Sequence, residues 1–219
     1  PDEAAARGQA PGAPSVAALA VRHRPVQQRG RIRFGSILAA ARVLLLETGL
    51  EGFTVEDVAQ RAGIPVGSVY QFFPNKLAIV AELDAQDTDA LVQDLRSAAG
   101  RFPTADWQGE TNDLIDHIAE HWAADPSRSA VWLAMRSNAT TRSLAAQRSR
   151  TLADALLPII RELTPQMADA ARGTVAQVVV EMSQSLLHFS VSDGRPNADT
   201  VRELKRMLRA YLRAVALDS

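Results

Sequence analysis

The 219 residues carry a formal charge of -1 and 47% apolar side chains, enough for a substantial core and too balanced to mark a chain-wide nucleic-acid binder. There is no cysteine, which excludes disulfides, thiolate metal sites and thiol redox sensing. No apolar run approaches the roughly 20 residues of a membrane span, and the opening PDEAAARGQAPGAP lacks the order of a signal peptide, so a soluble cytoplasmic protein with no membrane partner is expected. The near-neutral total hides an asymmetry, with nine basic against six acidic residues in 1–80 and fifteen against nineteen in the remainder. Residues 1–28 read as a flexible extension: its start is rich in Ala, Gly and Pro, and SVAALAV (15–21) has material for one or two helical turns that Pro25 ends. Arg22, Arg24, Arg29, Arg31 and Arg33 follow with no acidic residue between them, either a solvated tail or a basic arm that tracks phosphates or enters a minor groove.

From Phe34 the apolar residues Ile37, Leu38, Ala41, Leu44 and Leu45 recur at three-and-four spacing, a helix with one buried stripe that Gly49 stops. Thr54 is placed to cap a second, short helix carrying Val55, Val58, Ala59 and Ala62, and Gly63 closes it. Pro74 and Asn75 start a long helix reaching about Ala99. Further helices are expected over 111–123, from Pro126, over 141–163, from Pro165 to about Val191, and to the C-terminal end after the break SDGRPN. Pro158 is expected to kink or divide its helix. Strand-like alternation is nowhere evident, so the fold class is all-α.

The chemistry concentrates in RAGIPVGSVYQFFPNK, residues 61–76. Two short helices joined by AGIP and preceded by a longer one have the layout of a helix-turn-helix, whose second helix must show small or polar groups to a major groove. Gly67 would admit close backbone approach, Ser68 and Gln71 carry groups that read base edges, and the Tyr70 hydroxyl and Lys76 suit phosphate.

The stretch TVEDVAQRAGIPVGSVYQFFPNK resembles the DNA-binding signature of the TetR family of bacterial transcriptional regulators, through Thr54, Ala59, Ala62, Gly63, Gly67, Tyr70, Phe73 and Lys76. The resemblance covers about residues 30–80 and implies a helix-turn-helix domain over 29–78, followed by a helical effector-binding and dimerisation domain over 79–219. It implies a homodimer on a palindromic double-stranded DNA operator, released as a repressor by a small-molecule effector. Thr54, Tyr70 and Lys76 become phosphate contacts, and Val66, Gly67, Ser68 and Gln71 the reading surface. Arg31 and Arg33 join them as the basic arm. Pro65 departs from the pattern, because many members cap the reading helix there with Ser or Thr.

The same resemblance directs the search for the effector to the later helices, where Trp122, Trp132, Met135, Met182 and Phe189 are apolar candidates and His117, His121 and Arg136 polar ones, for an apolar or aromatic ligand. The last two helices are apolar over more than one face, so Val175, Val179, Leu186, Leu204, Leu208, Tyr211 and Leu212 are expected at the dimer contact. HIAEH, residues 117–121, is the rival motif: His117 and His121 lie one turn apart with Glu120 between them, as in one class of zinc peptidases, and a non-catalytic reading gives the two histidines a place as polar hooks in an effector pocket or a regulatory metal with Asp113 one turn earlier. A helical metal-dependent hydrolase and a protein-interaction module without DNA contact are therefore the alternatives. The main expectation is a regulator with no catalytic role, cofactor or resident metal.

Overall fold

The computed structural model describes residues 19–191 and 197–217, among which lie nine helices and no strand. PDEAAARGQAPGAP, the start of SVAALAV and all of the expected break SDGRPN except Asn197 fall outside the described residues. Helix α1 (Gln28–Thr48) buries Phe34, Ile37, Leu38, Ala41 and Leu45, and Gly49 ends it at φ 70°, its N–H donating to the Leu45 carbonyl. Such a positive φ favours glycine. In α2 (Val55–Ala62) the Thr54 hydroxyl accepts the Asp57 N–H at 3.2 Å while the Asp57 carboxylate accepts the Thr54 N–H at 2.8 Å, a reciprocal cap. Those hydrogen bonds hold the Asp57 carboxyl below the ordinary range. After Gly63, in the left-handed region, comes α3 (Val66–Phe72), then α4 (Lys76–Ala99), capped by Asn75 on the Ala78 N–H at 2.9 Å.

The body continues with α5 (Trp107–Ala124), α6 (Ser127–Ser137), α7 (Arg142–Leu163), α8 (Asp169–Ser190) and α9 (Ala198–Leu217). Helix α7 packs along α8 and against α4, α9 lies on α8 and α5, and α6 sits between α1 and α4. Among the described residues no helix is long and apolar enough to cross a membrane.

Two cores result. In the first, Phe34 stacks on Phe73 (5.0 Å, 28°) and meets Phe72 edge-on (5.5 Å, 89°) over fully buried Ile37, Val58, Val69 and Ile79. The second gathers Val92, Leu95, Ile115, Leu156, Ile160, Val180 and Leu204. Each such side chain contributes about 1.5–3 kcal/mol when fully buried. Helix α4 serves both, through Ala78 to Leu83 in the first and Val92 to Ala98 in the second, so the division expected at residue 78 falls inside one continuous helix.

Several expectations are corrected by the packing. Arg29, Arg31 and Arg33 are not an arm but the opening turns of α1, which begins at Gln28 rather than Phe34. Residues 19–27 are not free: Leu19 is buried in the first core and the Arg22 N–H donates to the Phe72 carbonyl at 2.8 Å. Pro158 lies inside an undivided α7, so of the kink or division expected there the division does not occur. Val175, Val179, Leu204, Leu208 and Leu212, expected between subunits, are buried within this one, because α8 and α9 turn those faces onto α5 and α7; Leu186 and Tyr211 pack at the margin of the same core.

Candidate nucleic-acid interface and helical cavity

Helix α3 is two turns long and splits cleanly by side. Val69 and Phe72 point into the first core, as does Phe73 just beyond the helix, while Val66 (39% exposed), Gly67, Tyr70 (37%) and Gln71 face solvent and Ser68 lies half-buried beside them. Nothing lies within 4 Å of where a Gly67 side chain would begin, so the subunit's own packing places no demand for glycine there. Pro65 occupies the N-cap and offers no side-chain cap; its carbonyl takes the Ser68 N–H at 2.9 Å.

The Tyr70 hydroxyl donates to Glu56 at 3.3 Å, linking α3 to α2. Burial, then the Glu56 charge and this hydrogen bond, raise the Tyr70 pKa, so the phenol stays a donor. Arg61 of α2 pairs with Glu47 of α1. Thr54 is exposed, though its hydroxyl already serves the α2 cap. Lys76 is drawn away from the phosphate role expected of it: its Nζ donates to the Leu50 carbonyl at 2.7 Å and the Phe53 carbonyl at 3.1 Å, and lies 5.5 Å from the Phe53 ring centre. The turn after Gly49 leaves those carbonyls outside any helix, and the ammonium in the first turn of α4 satisfies them. Arg31 and Arg33 are exposed on α1.

Two arginines before α1 hold the head in a way the sequence reading missed. Arg22 donates to the Tyr70 carbonyl at 2.9 Å, placing positive charge at the C-terminal end of α3, where the helix dipole favours it. Arg24 grips Glu82 of α4 with two hydrogen bonds of 2.9 and 2.7 Å. The available signal was Glu82 itself, set among Ile79, Val80, Ala81 and Leu83 in a buried run, where a carboxylate requires a partner.

In the body, α4, α5, α7, α8 and α9 surround an apolar cavity of about 80 Å³ whose walls include Leu91, Leu95, Ile118, Trp122 and Leu156. A smaller, more polar cavity of about 40 Å³ shares Leu91, Ile118, Trp122, Leu152 and Gln184 with it and adds Asp84, Arg128, Trp132 and His121. Three buried polar atoms on that second wall lack a hydrogen-bond partner: Asp84 Oδ2, Arg128 Nε and Trp132 Nε1. Asp84 lies 2.8 Å from Arg148 Nε but without hydrogen-bond alignment, and burial pushes its carboxyl up to about 6 against the pull of Arg148.

Beside this wall Trp132 meets two neighbours, with His188 stacked at 4.6 Å and the Arg136 guanidinium 4.3 Å from its ring centre. Arg136 also donates to Gln184 at 2.8 Å. Burial, and then the Arg136 charge, lower the His188 pKa, which favours a neutral imidazole. Of the expected pocket residues, Trp122 lines the apolar cavity and His121 and Trp132 the polar one. Met135 is instead fully buried in the first core, because α6 turns that side toward the head, and Phe189 is 64% exposed on the far side of α8. Met182 is partly buried and lines neither cavity. The leucines and isoleucines that do line it carry no mark in the sequence that separates a wall from a core.

His117 and His121 converge on Asp94 of α4, with His117 Nε2 3.3 Å and His121 Nδ1 3.4 Å from its two oxygens. Glu120 is exposed and stands outside this group; Asp94 replaces Asp113, one turn earlier on α5, as the acidic companion of the histidines.

Comparison with known proteins agrees with this layout. Residues 37–83 match the family profile described as bacterial regulatory proteins, tetR family, and residues 105–216 match the tetracyclin repressor-like C-terminal domain. An uncharacterized HTH-type transcriptional regulator of Bacillus subtilis, YdeS, is 31% identical over 94 residues, 41% of this chain and 42% of the length of that protein. Among solved structures, a TetR-family transcriptional regulator from Streptomyces coelicolor superposes with a TM-score of 0.58 at 24% identity, over 84% of this chain and 99% of its own. The fatty acid degradation regulator FadR from Bacillus halodurans gives 0.61 at 18% identity, over 84% and 94%. At these identities the structural likeness is one of fold.

Proposed function

The chain belongs to the TetR family of transcriptional regulators, and from that premise we propose that it is a ligand-responsive repressor acting in the cytoplasm as a homodimer. The observation that carries the reading is α3: a two-turn helix fixed from behind by Val69 and Phe72, tied at its end by Arg22, and presenting Val66, Gly67, Ser68, Tyr70 and Gln71 outward. Ser68 and Gln71 read bases, Gly67 lets the backbone approach, and Tyr70 donates to phosphate once it leaves Glu56. Lys76 supports the turn behind them.

The dimer forms through the outer faces of α8 and α9. Val178, Met182 and Phe189 share one side of α8, flanking the face turned to the core, and Met207 (42% exposed), Ala210, Ala214 and Leu217 (79%) share one side of α9, opposite its core face. Two such pairs of helices bury those stripes against each other. The effector has an apolar body for the cavity behind Trp122 and Leu156, and a polar end for Trp132 Nε1 and Arg128 Nε. The cavity is smaller than the about 150 Å³ that admits benzene in an engineered core, so a ligand must part the helices as it enters. Helix α4 belongs to both cores and carries that displacement to the head, favouring a spacing of the two reading helices other than the ~34 Å of adjacent major grooves.

Selection of bound duplexes from a random pool tests the reading. The expected product is a palindromic site bound with steep salt dependence, and Gln71→Ala widens the selected sequence while leaving the thermal midpoint unchanged. Recovery of no preferred sequence, or an unaltered preference in Gln71→Ala, overturns it.

A further inference from the structure

His117 and His121 lie one turn apart on α5 with ring centres 4.3 Å apart, and Asp94 of α4 faces both. One ligand atom from each of the three residues falls within 4.8 Å of the others. The nitrogen–oxygen separations of 3.3 and 3.4 Å exceed the roughly 2.7–2.9 Å of a charge-assisted hydrogen bond. Each nitrogen faces a different oxygen of the carboxylate, and because ligand atoms held at about 2.1 Å around a tetrahedral ion stand about 3.4 Å apart, the three groups are already close to the spread that one ion would span. The imidazoles are 49% and 44% exposed at the side chain, so an ion reaches them from solvent and the rings are free to turn toward it.

We infer that Asp94, His117 and His121 form a divalent transition-metal site that clamps α4 to α5. Two imidazoles and one carboxylate select a borderline ion of the Zn²⁺, Co²⁺ or Ni²⁺ kind over Ca²⁺ or Mg²⁺, which take oxygen donors. Three protein ligands leave a tetrahedral ion one position for water or an exogenous donor. Asp94 and His121 also line the polar cavity, so the ion shares a wall with the effector space, and it fastens the helix that runs to the head. The site stands on its ligand geometry and not on the regulator reading.

The test uses full-length protein without an affinity tag, stripped with chelator, and titrated with Zn²⁺ by calorimetry and with Co²⁺ by visible absorption, without DNA or effector. The expected result is one ion per chain and the intense Co²⁺ bands of low coordination. His117→Ala and His121→Ala each weaken binding on the order of a hundredfold or more, Asp94→Asn also weakens it, and Asp113→Asn leaves it as in the parent. Circular dichroism checks that each variant is folded, and His117→Gln repeats the result should His117→Ala not be. Less than one ion per chain, or parental affinity in the folded histidine variants, overturns the inference. Either outcome leaves the DNA-selection result independent.

Discussion

In the head, Ile37, Val58, Val69, Phe73 and Ile79 are buried without residue around stacked Phe34, whereas in the body Leu91, Leu95, Ile118 and Leu156 surround about 80 Å³ of space. The polar groups differ in the same sense. Those of the head are paired across elements, Arg22 with the end of α3, Arg24 with Glu82 and Lys76 with two turn carbonyls, while Asp84, Arg128 and Trp132 in the body keep buried atoms without hydrogen-bond partners. A filled, satisfied core holds a surface in one geometry, which a groove-reading helix needs. A core with space and unsatisfied polar atoms is less tightly determined, and under the proposed function α4, common to both cores, is the element that carries a change in the second to the first.

The largest effect tests where the head ends. Met135→Ala, in α6, is expected to cost about 2–5 kcal/mol in chemical denaturation, because Met135 is fully buried in the head's core despite its place in the chain. A cost below 1 kcal/mol would move the border between the cores back toward α4. The next concerns Asp84, between α4 and α7. Burial raises its folded pKa to about 6, so between about pH 4 and 6 the folded chain retains a proton that the unfolded chain has released. Stability therefore falls as pH rises through that window, by up to about 3 kcal/mol, and Asp84→Asn removes the slope in denaturation curves taken across it.

Over-packing compares the cores directly. Val58→Phe, in the filled core, is expected to lose about 1–3 kcal/mol or more, whereas Leu156→Phe, at the cavity wall, should lose less than about 1 kcal/mol by the same measurement. Equal losses would mean that the body is as rigid as the head. The smallest effect is on the solvent side of α3: Gly67→Ala has open space and a helical position, so a gain of up to about 1 kcal/mol in stability is expected. Under the proposed function it comes with weaker operator binding in fluorescence anisotropy, which separates a glycine kept for DNA from one kept for folding.

Much of the head was legible because its signals are local. Gly49 and Gly63 sit where the chain needs positive φ, Thr54 caps within three residues of itself, and Val69, Phe72 and Phe73 mark an inner side within two turns. Lys76 shows the limit even there, since a lysine beside a reading helix suits phosphate until the α1–α2 turn folds back over it. In the body, α8 and α9 carry apolar residues on two sides, and periodicity alone assigns neither to the core. Val175 and Leu204 against Val178 and Met207 were decided by the packing of α5 and α7 on one side.

The sequence by itself determined which segments are helical, the stops at Gly49 and Gly63 and the helix-turn-helix, because caps, turns and apolar spacing act over a few residues. Only the tertiary structure decided that Arg24 reaches Glu82, 58 residues away, that Asp94 rather than Asp113 meets His117 and His121, and that a cavity opens among side chains indistinguishable from a core. Those outcomes depend on which helices meet and at what depth, and such meetings are settled by the volume and burial of the whole assembly of helices rather than by any neighbour in the chain.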